Sequence, residues 1–125
     1  MSHISRIKTQ IADREILLET LADLGYEVDH GDLYISSVGG QKTPVDIKIR
    51  LRLSYDIGFR KNGEFYEIIA DWFGVRGEKQ KDFTNKVTQG YAYRAVKNKL
   101  QEQGFTLVEE TQQKGTIQLV LRRTV

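Results

Sequence analysis

Apolar and charged residues alternate from Val45 to Leu53. Val45, Ile47, Ile49, Leu51 and Leu53 share one parity, and Asp46, Lys48, Arg50 and Arg52 the other. A period of two means a β-strand with one buried and one wet face. The wet face then carries Lys48, Arg50 and Arg52 in a row, and the chain turns near 52–54. The next stretch, Tyr55–Trp72 (YDIGFRKNGEFYEIIADW), places two runs rich in aromatic and β-branched residues on either side of Asn62-Gly63. Asn-Gly is the strongest short hairpin signal, because a type I′ turn needs positive φ at both central residues. A tight antiparallel hairpin is predicted, with strands over 55–61 and 64–71 and Asn62 and Gly63 at the turn.

Helical spacing occurs twice. Leu17, Leu21 and Leu24, with Leu18 beside them, fall at i, i+4, i+7 behind Asp13 as N-cap and Glu15 in the first turn. Gly25 ends that helix. A second helix is predicted from an Asp82 N-cap to about Gln103, closed by Gly104. Its apolar residues form two rows, Phe83/Val87/Tyr91/Ala95 and Ala92/Val96/Leu100, which implies a broad buried face. The spacing around Ile4 and Ile7 predicts an edge strand over 2–9. Tyr26–Asp29 and Leu33–Val38 read as strands around a His30-Gly31-Asp32 turn, and Gly39–Pro44 as a loop. Phe73–Lys81 is a second loop, and Phe105–Glu109 and Thr116–Arg123 are strands joined by a turn ending at Lys114-Gly115. An internal echo aligns Leu21–Val28 with Leu100–Leu107 on Gly25 and Gly104, each reading helix, glycine, aromatic, strand. The expected architecture is α+β: a single domain over 1–125, with a mostly antiparallel sheet of about six to seven strands and two helices packed on one face.

Composition narrows the classes of function. The absence of cysteine excludes disulfides and thiolate metal sites. No apolar run reaches the roughly 18 residues of a membrane span, and the N-terminus lacks the apolar core of a secretory signal. A cytoplasmic protein, or its equivalent in an organelle stroma, is expected. The net charge of +2, from 19 basic and 17 acidic side chains, is too even to imply nucleic-acid binding by itself.

The second helix carries the most suggestive constellation. Lys86, Arg94 and Lys97 share a face at helical spacing around Gly90, with Tyr93 at its edge. Glycine inside a helix costs about 1 kcal/mol against alanine, so either a neighbouring element or a ligand comes close there. A basic face with an aromatic suits phosphate or an acidic partner, and a solvated helix face is the plainer reading. On the Val45–Leu53 strand, the heads of Lys48, Arg50 and Arg52 would stand about 7 Å apart, either as a nucleic-acid surface or as an edge guarded against aggregation. Asp56, Glu67 and Asp71 lie on the central hairpin, where paired carboxylates can split their pKa values for acid–base work or simply meet Arg60 and the basic strand. His3 and His30 belong to no metal-ligand spacing, no nucleophile–base motif is present, and Gly74-Val75-Arg76-Gly77 is too short for a phosphate loop. No catalytic residue, metal or cofactor is assigned.

Several stretches together resemble a known family. Ser2-His3-Ile4-Ser5, Ile7-Lys8-Thr9-Gln10-Ile11 with Asp13, Tyr55-Asp56-Ile57-Gly58-Phe59, Asn62-Gly63 and Ala70-Asp71-Trp72 carry the resemblance. Tyr91-Ala92-Tyr93, Gln103-Gly104-Phe105 and Val108-Glu109-Glu110 extend it along nearly the whole chain. The family is the one first named as chloroplast open reading frame thirty-five, found in cyanobacteria and algal plastids and classed as a domain of unknown function. The chain departs from the pattern around Phe73–Lys81 and fits it loosely over Val38–Ser54. The resemblance implies a cytoplasmic or plastid-stromal setting and carries over no catalytic residues. The expected function is a small non-enzymatic binding or adaptor domain that engages a protein partner without a membrane. RNA or other nucleic-acid binding, and a small-molecule or catalytic site at the hairpin carboxylates, are the alternatives. The sequence does not specify an oligomeric state.

Overall fold

The computed structural model describes residues 3–29, 33–113 and 116–123, so the expected turns at His30-Gly31-Asp32 and Lys114-Gly115 lie outside it. The architecture is α+β, with two helices and a mostly antiparallel set of strands. The main sheet has five strands in the order β1-β7-β6-β5-β2, every neighbouring pair antiparallel. These are β1 (Ile4–Lys8), β2 (Glu27–Asp29), β5 (Ile47–Arg50), β6 (Ile57–Asn62) and β7 (Phe65–Asp71). Two smaller ribbons stand apart from it: β3 (Tyr34–Ser36) with β4 (Lys42–Pro44), and β8 (Phe105–Gln113) with β9 (Thr116–Arg123). Helix α1 spans Arg14–Asp23 and α2 spans Gln80–Glu102.

The central hairpin forms, one residue out of the expected phase. Asn62 pairs with Phe65, so Gly63 and Glu64 are the two loop residues. Gly63 has φ +69, while Leu53 alone among the described non-glycine residues has positive φ. Glycine at the first loop position followed by a residue of negative φ is the type II′ pattern rather than I′. Asn62 therefore ends β6 instead of making the turn.

One face of the sheet carries both helices. Ile47, Ile49, Ile57, Phe59, Ile68 and Ala70 project to that side and pack with Leu17 and Leu21 of α1 and with Phe83 and Val87 of α2. Asp13 caps α1 as its sequence predicts, its Oδ1 accepting from the Ile16 N–H at 3.1 Å. At the other end Gly25, at φ +85, allows the Tyr26 N–H to reach the Leu21 carbonyl at 2.9 Å. Gly104 takes a similar φ, +89, after α2. The strands that follow diverge, since β2 joins the main sheet and β8 starts a ribbon of its own. The start of α2 differs from expectation. Lys79 occupies the N-cap with no side-chain bond, and Asp82 lies in the first turn, where its charge still suits the helix dipole. The second apolar row is not buried either. Ala92 and Val96 are exposed and Leu100 is half-buried.

The opposite face is closed by the β3–β4 ribbon. The Gly39–Pro44 segment was expected to be a loop, but its second half pairs with Tyr34–Ser36. Ile35 and Val45 from this region pack on Ile69, with Ile4 alongside. Val45 lies so close to β6 that a Cβ on Gly58 would sit 2.4 Å from Val45 Cγ1. Gly58→Ala is expected to cost about 2 kcal/mol through overpacking. Adding Val45→Ala should return part of that loss in urea denaturation. An unchanged midpoint for Gly58→Ala alone would show that Val45 does not sit there.

Candidate functional site

Helix packing sets the geometry of the site. A Cβ on Gly90 would lie 3.0 Å from Thr20 Cγ2 and 3.7 Å from Leu24 Cδ1. The close approach anticipated at this glycine is therefore that of α1. Beside the crossing, α1, α2 and β8 enclose a groove of about 420 Å³. Lys86, Gly90, Tyr93, Arg94 and Lys97, chosen from helical spacing alone, all line it. The facing wall is supplied by Asp23, Leu24 and Glu110, none of which the sequence had singled out as a site residue. They belong to other elements, so no spacing within α2 points to them.

The charges in this groove are unequally committed. Arg94 is a clamp between the helices. Its Nη2 and Nε donate to Glu19 Oε2 at 2.7 and 3.1 Å, and its Nη1 lies 3.4 Å from Asp23 Oδ2. Asn98 Nδ2 donates to the other Glu19 oxygen at 3.1 Å. The bond from Arg94 holds the Glu19 carboxyl below its ordinary pKa against the cost of desolvation. Lys86 donates to Glu78 at 3.1 Å and sits 4.9 Å above the ring of Tyr26, whose hydroxyl also donates to Glu78. The Tyr93 hydroxyl donates to Glu110 Oε2 at 2.8 Å. Burial, and then that bond to a carboxylate, push its pKa up to about 12, so Tyr93 stays a neutral donor at physiological pH. Lys97 differs. Its ammonium lies 5.9 Å from the centre of the Tyr93 ring, and among the described residues no carboxylate pairs with it.

Comparison with known proteins bears on this geometry. A family model described as "Protein of unknown function (DUF1257)" matches residues 20–120. The "Uncharacterized protein ycf35" of Guillardia theta is 37% identical over 125 residues, covering 98% of both chains. The chain belongs to the ycf35 family. Its counterparts of the same name in Cyanophora paradoxa and Pyropia yezoensis are 33% and 32% identical, again over 98% of each chain. No solved structure matches. Family membership places no activity on the groove, so the reading of this ycf35 member rests on its stereochemistry.

The second candidate surface does not exist as expected. Lys48 is buried, with its Nζ 3.3 Å from Asp29 Oδ2 and 3.7 Å from Asp56 Oδ2. Arg50 is exposed and donates to Asp29 at 3.0 Å, while Arg52 lies beyond β5 in a turn. Alternation reports polarity, and polarity matches exposure only where nothing covers the polar face. Here Lys48 is held beside the Asp29 and Asp56 carboxylates, which neutralise the buried lysine. The hairpin carboxylates are also engaged. Asp56 Oδ1 accepts from the Leu51 N–H at 3.1 Å. Asp71 is fully buried and accepts from the Val38 N–H at 2.6 Å and the Phe73 N–H at 3.1 Å. Glu67 stands in register between Lys8 and Arg60. Among the described residues no group of three or more His, Cys, Asp and Glu side chains is arranged to hold a metal, and no helix is long and apolar enough to cross a membrane.

Proposed function

We propose that this chain is a small non-enzymatic binding domain that engages a protein partner through the groove between α1, α2 and β8. The observation that carries this reading is Lys97. It is the one groove cation that neither clamps the helices nor meets a carboxylate among the described residues, and it sits beside an aromatic ring and a row of polar groups. An acidic side chain of a partner would complete its charge, and Tyr93 supplies a neutral contact surface. A phosphate-dominated nucleic-acid interface needs several free cations on one face. Here Lys86 and Arg94 are already paired and Lys48 is buried, so a protein partner suits the groove better. A setting in the cytoplasm or plastid stroma goes with this proposal.

Lys97→Glu is expected to remove the principal partner from an affinity purification in the native host, with retention falling about tenfold. The melting temperature should stay within about 1 °C, because surface substitutions of this kind change stability little. Arg94→Glu is the poorer probe, since it breaks the Glu19 and Asp23 pairs and alters helix packing as well. A partner list identical for wild type and Lys97→Glu would remove the groove from consideration.

A further inference from the structure

Three turns converge at the end of the sheet where Asp71 is buried. Its two carboxylate oxygens hold the N–H groups of Val38 and Phe73, at 2.6 and 3.1 Å. The turn after β5 is bonded to the turn after β7. The Tyr55 N–H donates to the Gly74 carbonyl at 2.9 Å, and the Arg76 N–H donates to Ser54 Oγ at 2.7 Å. The Tyr55 ring fills the space a side chain on Gly74 would need, its Cδ2 lying 2.1 Å from that Cβ position. These bonds make one fixed frame out of three connections.

That frame presents apolar side chains to solvent. Leu53 is 83% exposed, Phe73 79% and Val38 42%. Leu53 also has φ +53, a conformation that a bulky side chain adopts rarely and at a cost. Backbone strain spent on pointing a leucine into water brings the fold nothing by itself, and such strain clusters at binding sites. His3 lies against one side of Phe73, ring centres 4.3 Å apart. Arg52 and Arg76 flank the turns, both exposed, and neither meets a carboxylate among the described residues.

We propose that the Val38, Leu53 and Phe73 tips form a second docking surface, for a protein segment that presents an aromatic or aliphatic side chain next to carboxylates. The apolar tips supply a small desolvated centre and the two guanidinium groups an acidic complement at its rim. A second copy of the chain fits badly, because a symmetric contact would bring Arg52 and Arg76 towards their own counterparts. A lipid surface also fits less well. A fluid interface accepts any apolar tip and gives no return on a fixed, strained backbone, and two or three side chains anchor weakly. The proposal rests on the binding-domain reading above but uses a different face of the molecule.

The test is selection of displayed random linear peptides on the 125-residue chain, followed by affinity measurement of the recovered peptides on variants. Peptides pairing Phe, Trp or Leu with Asp or Glu are expected. Their affinity should fall about tenfold on Phe73→Ser and on the double variant Arg52→Glu/Arg76→Glu, and stay unchanged on Lys97→Glu. Leu53→Gly supplies a readout that a merely structural leucine would not move. Relief of the positive φ should raise the melting temperature by about 4 °C while the same peptides bind more weakly. Recovery of no peptide sensitive to Phe73→Ser would overturn the proposal. Peptides sensitive only to Lys97→Glu would overturn it and leave the groove standing. Phe73-dependent sedimentation with phosphatidylglycerol vesicles, without peptide binding, would overturn it in favour of a lipid surface.

Discussion

Phe83→Ala is expected to destabilise the domain by about 4 kcal/mol. Phe83 is fully buried at the start of α2, and three aromatic rings surround it. Its ring centre lies 5.6 Å from that of Tyr26, 5.9 Å from Trp72 and 6.2 Å from Phe59. These neighbours belong to the segment after α1, the end of the hairpin and its first strand. Removing the ring takes away its transfer free energy and leaves a cavity whose walls come from several elements and cannot all collapse inward. The edge-on contact with Tyr26 adds to the loss beyond the area it buries. Urea denaturation followed by far-ultraviolet circular dichroism measures the effect. A loss below about 1.5 kcal/mol would mean that the site repacks and that Phe83 is not the hub of the core.

Asp71→Asn is expected to cost about 3 kcal/mol, although it changes only one oxygen to an amide nitrogen. Both carboxylate oxygens accept from backbone N–H groups, and the side chain is shielded from water. An amide can accept at one position but turns donors towards the other N–H. One buried backbone donor is left facing another donor. Thermal melts and denaturant titrations measure the stability change, and chemical shifts of Val38 and Phe73 report the local rearrangement. Stability equal to wild type, together with loss of a defined activity, would make Asp71 a reacting group and revive the catalytic reading of the hairpin carboxylates.

What the sequence revealed depended on how local the determining interaction was. Asp13 and Gly25 act within one turn of the helix they bound, and both do what their residue types predict. Asn62-Gly63 located the reversal correctly, but the phase of the turn follows from which residues pair across it, and that shifted the loop to Gly63 and Glu64. The five groove residues of α2 were legible because 3.6-residue periodicity puts them on one side of a single helix. Their hydrogen-bond and ionic partners were not. Glu19 and Asp23, which hold Arg94, come from α1, and Glu110, which accepts from Tyr93, comes from β8, so the state of each side chain depends on how separate elements pack. Lys48 failed for the same reason. Its alternation was real, but its side chain is buried between carboxylates of two other segments, Asp29 of β2 and Asp56 of the turn before β6. Phe73 sat in a segment read as loop, where an isolated apolar residue carries no periodic signal. Leu53 was counted as the last apolar member of the Val45–Leu53 alternation, but β5 ends at Arg50 and Leu53 lies in the turn beyond it, 83% exposed.

The β8–β9 ribbon has a consequence for how the groove behaves. Among the described residues its two strands bond to each other and to no strand of the main sheet, and the Tyr93–Glu110 bond ties it to α2. A two-stranded ribbon is marginal when left to itself. The wall it provides can therefore swing away while the aromatic hub and the five central strands keep their native packing. Partial opening, a low-energy excursion of one cooperative unit, then exposes the groove lining without global unfolding.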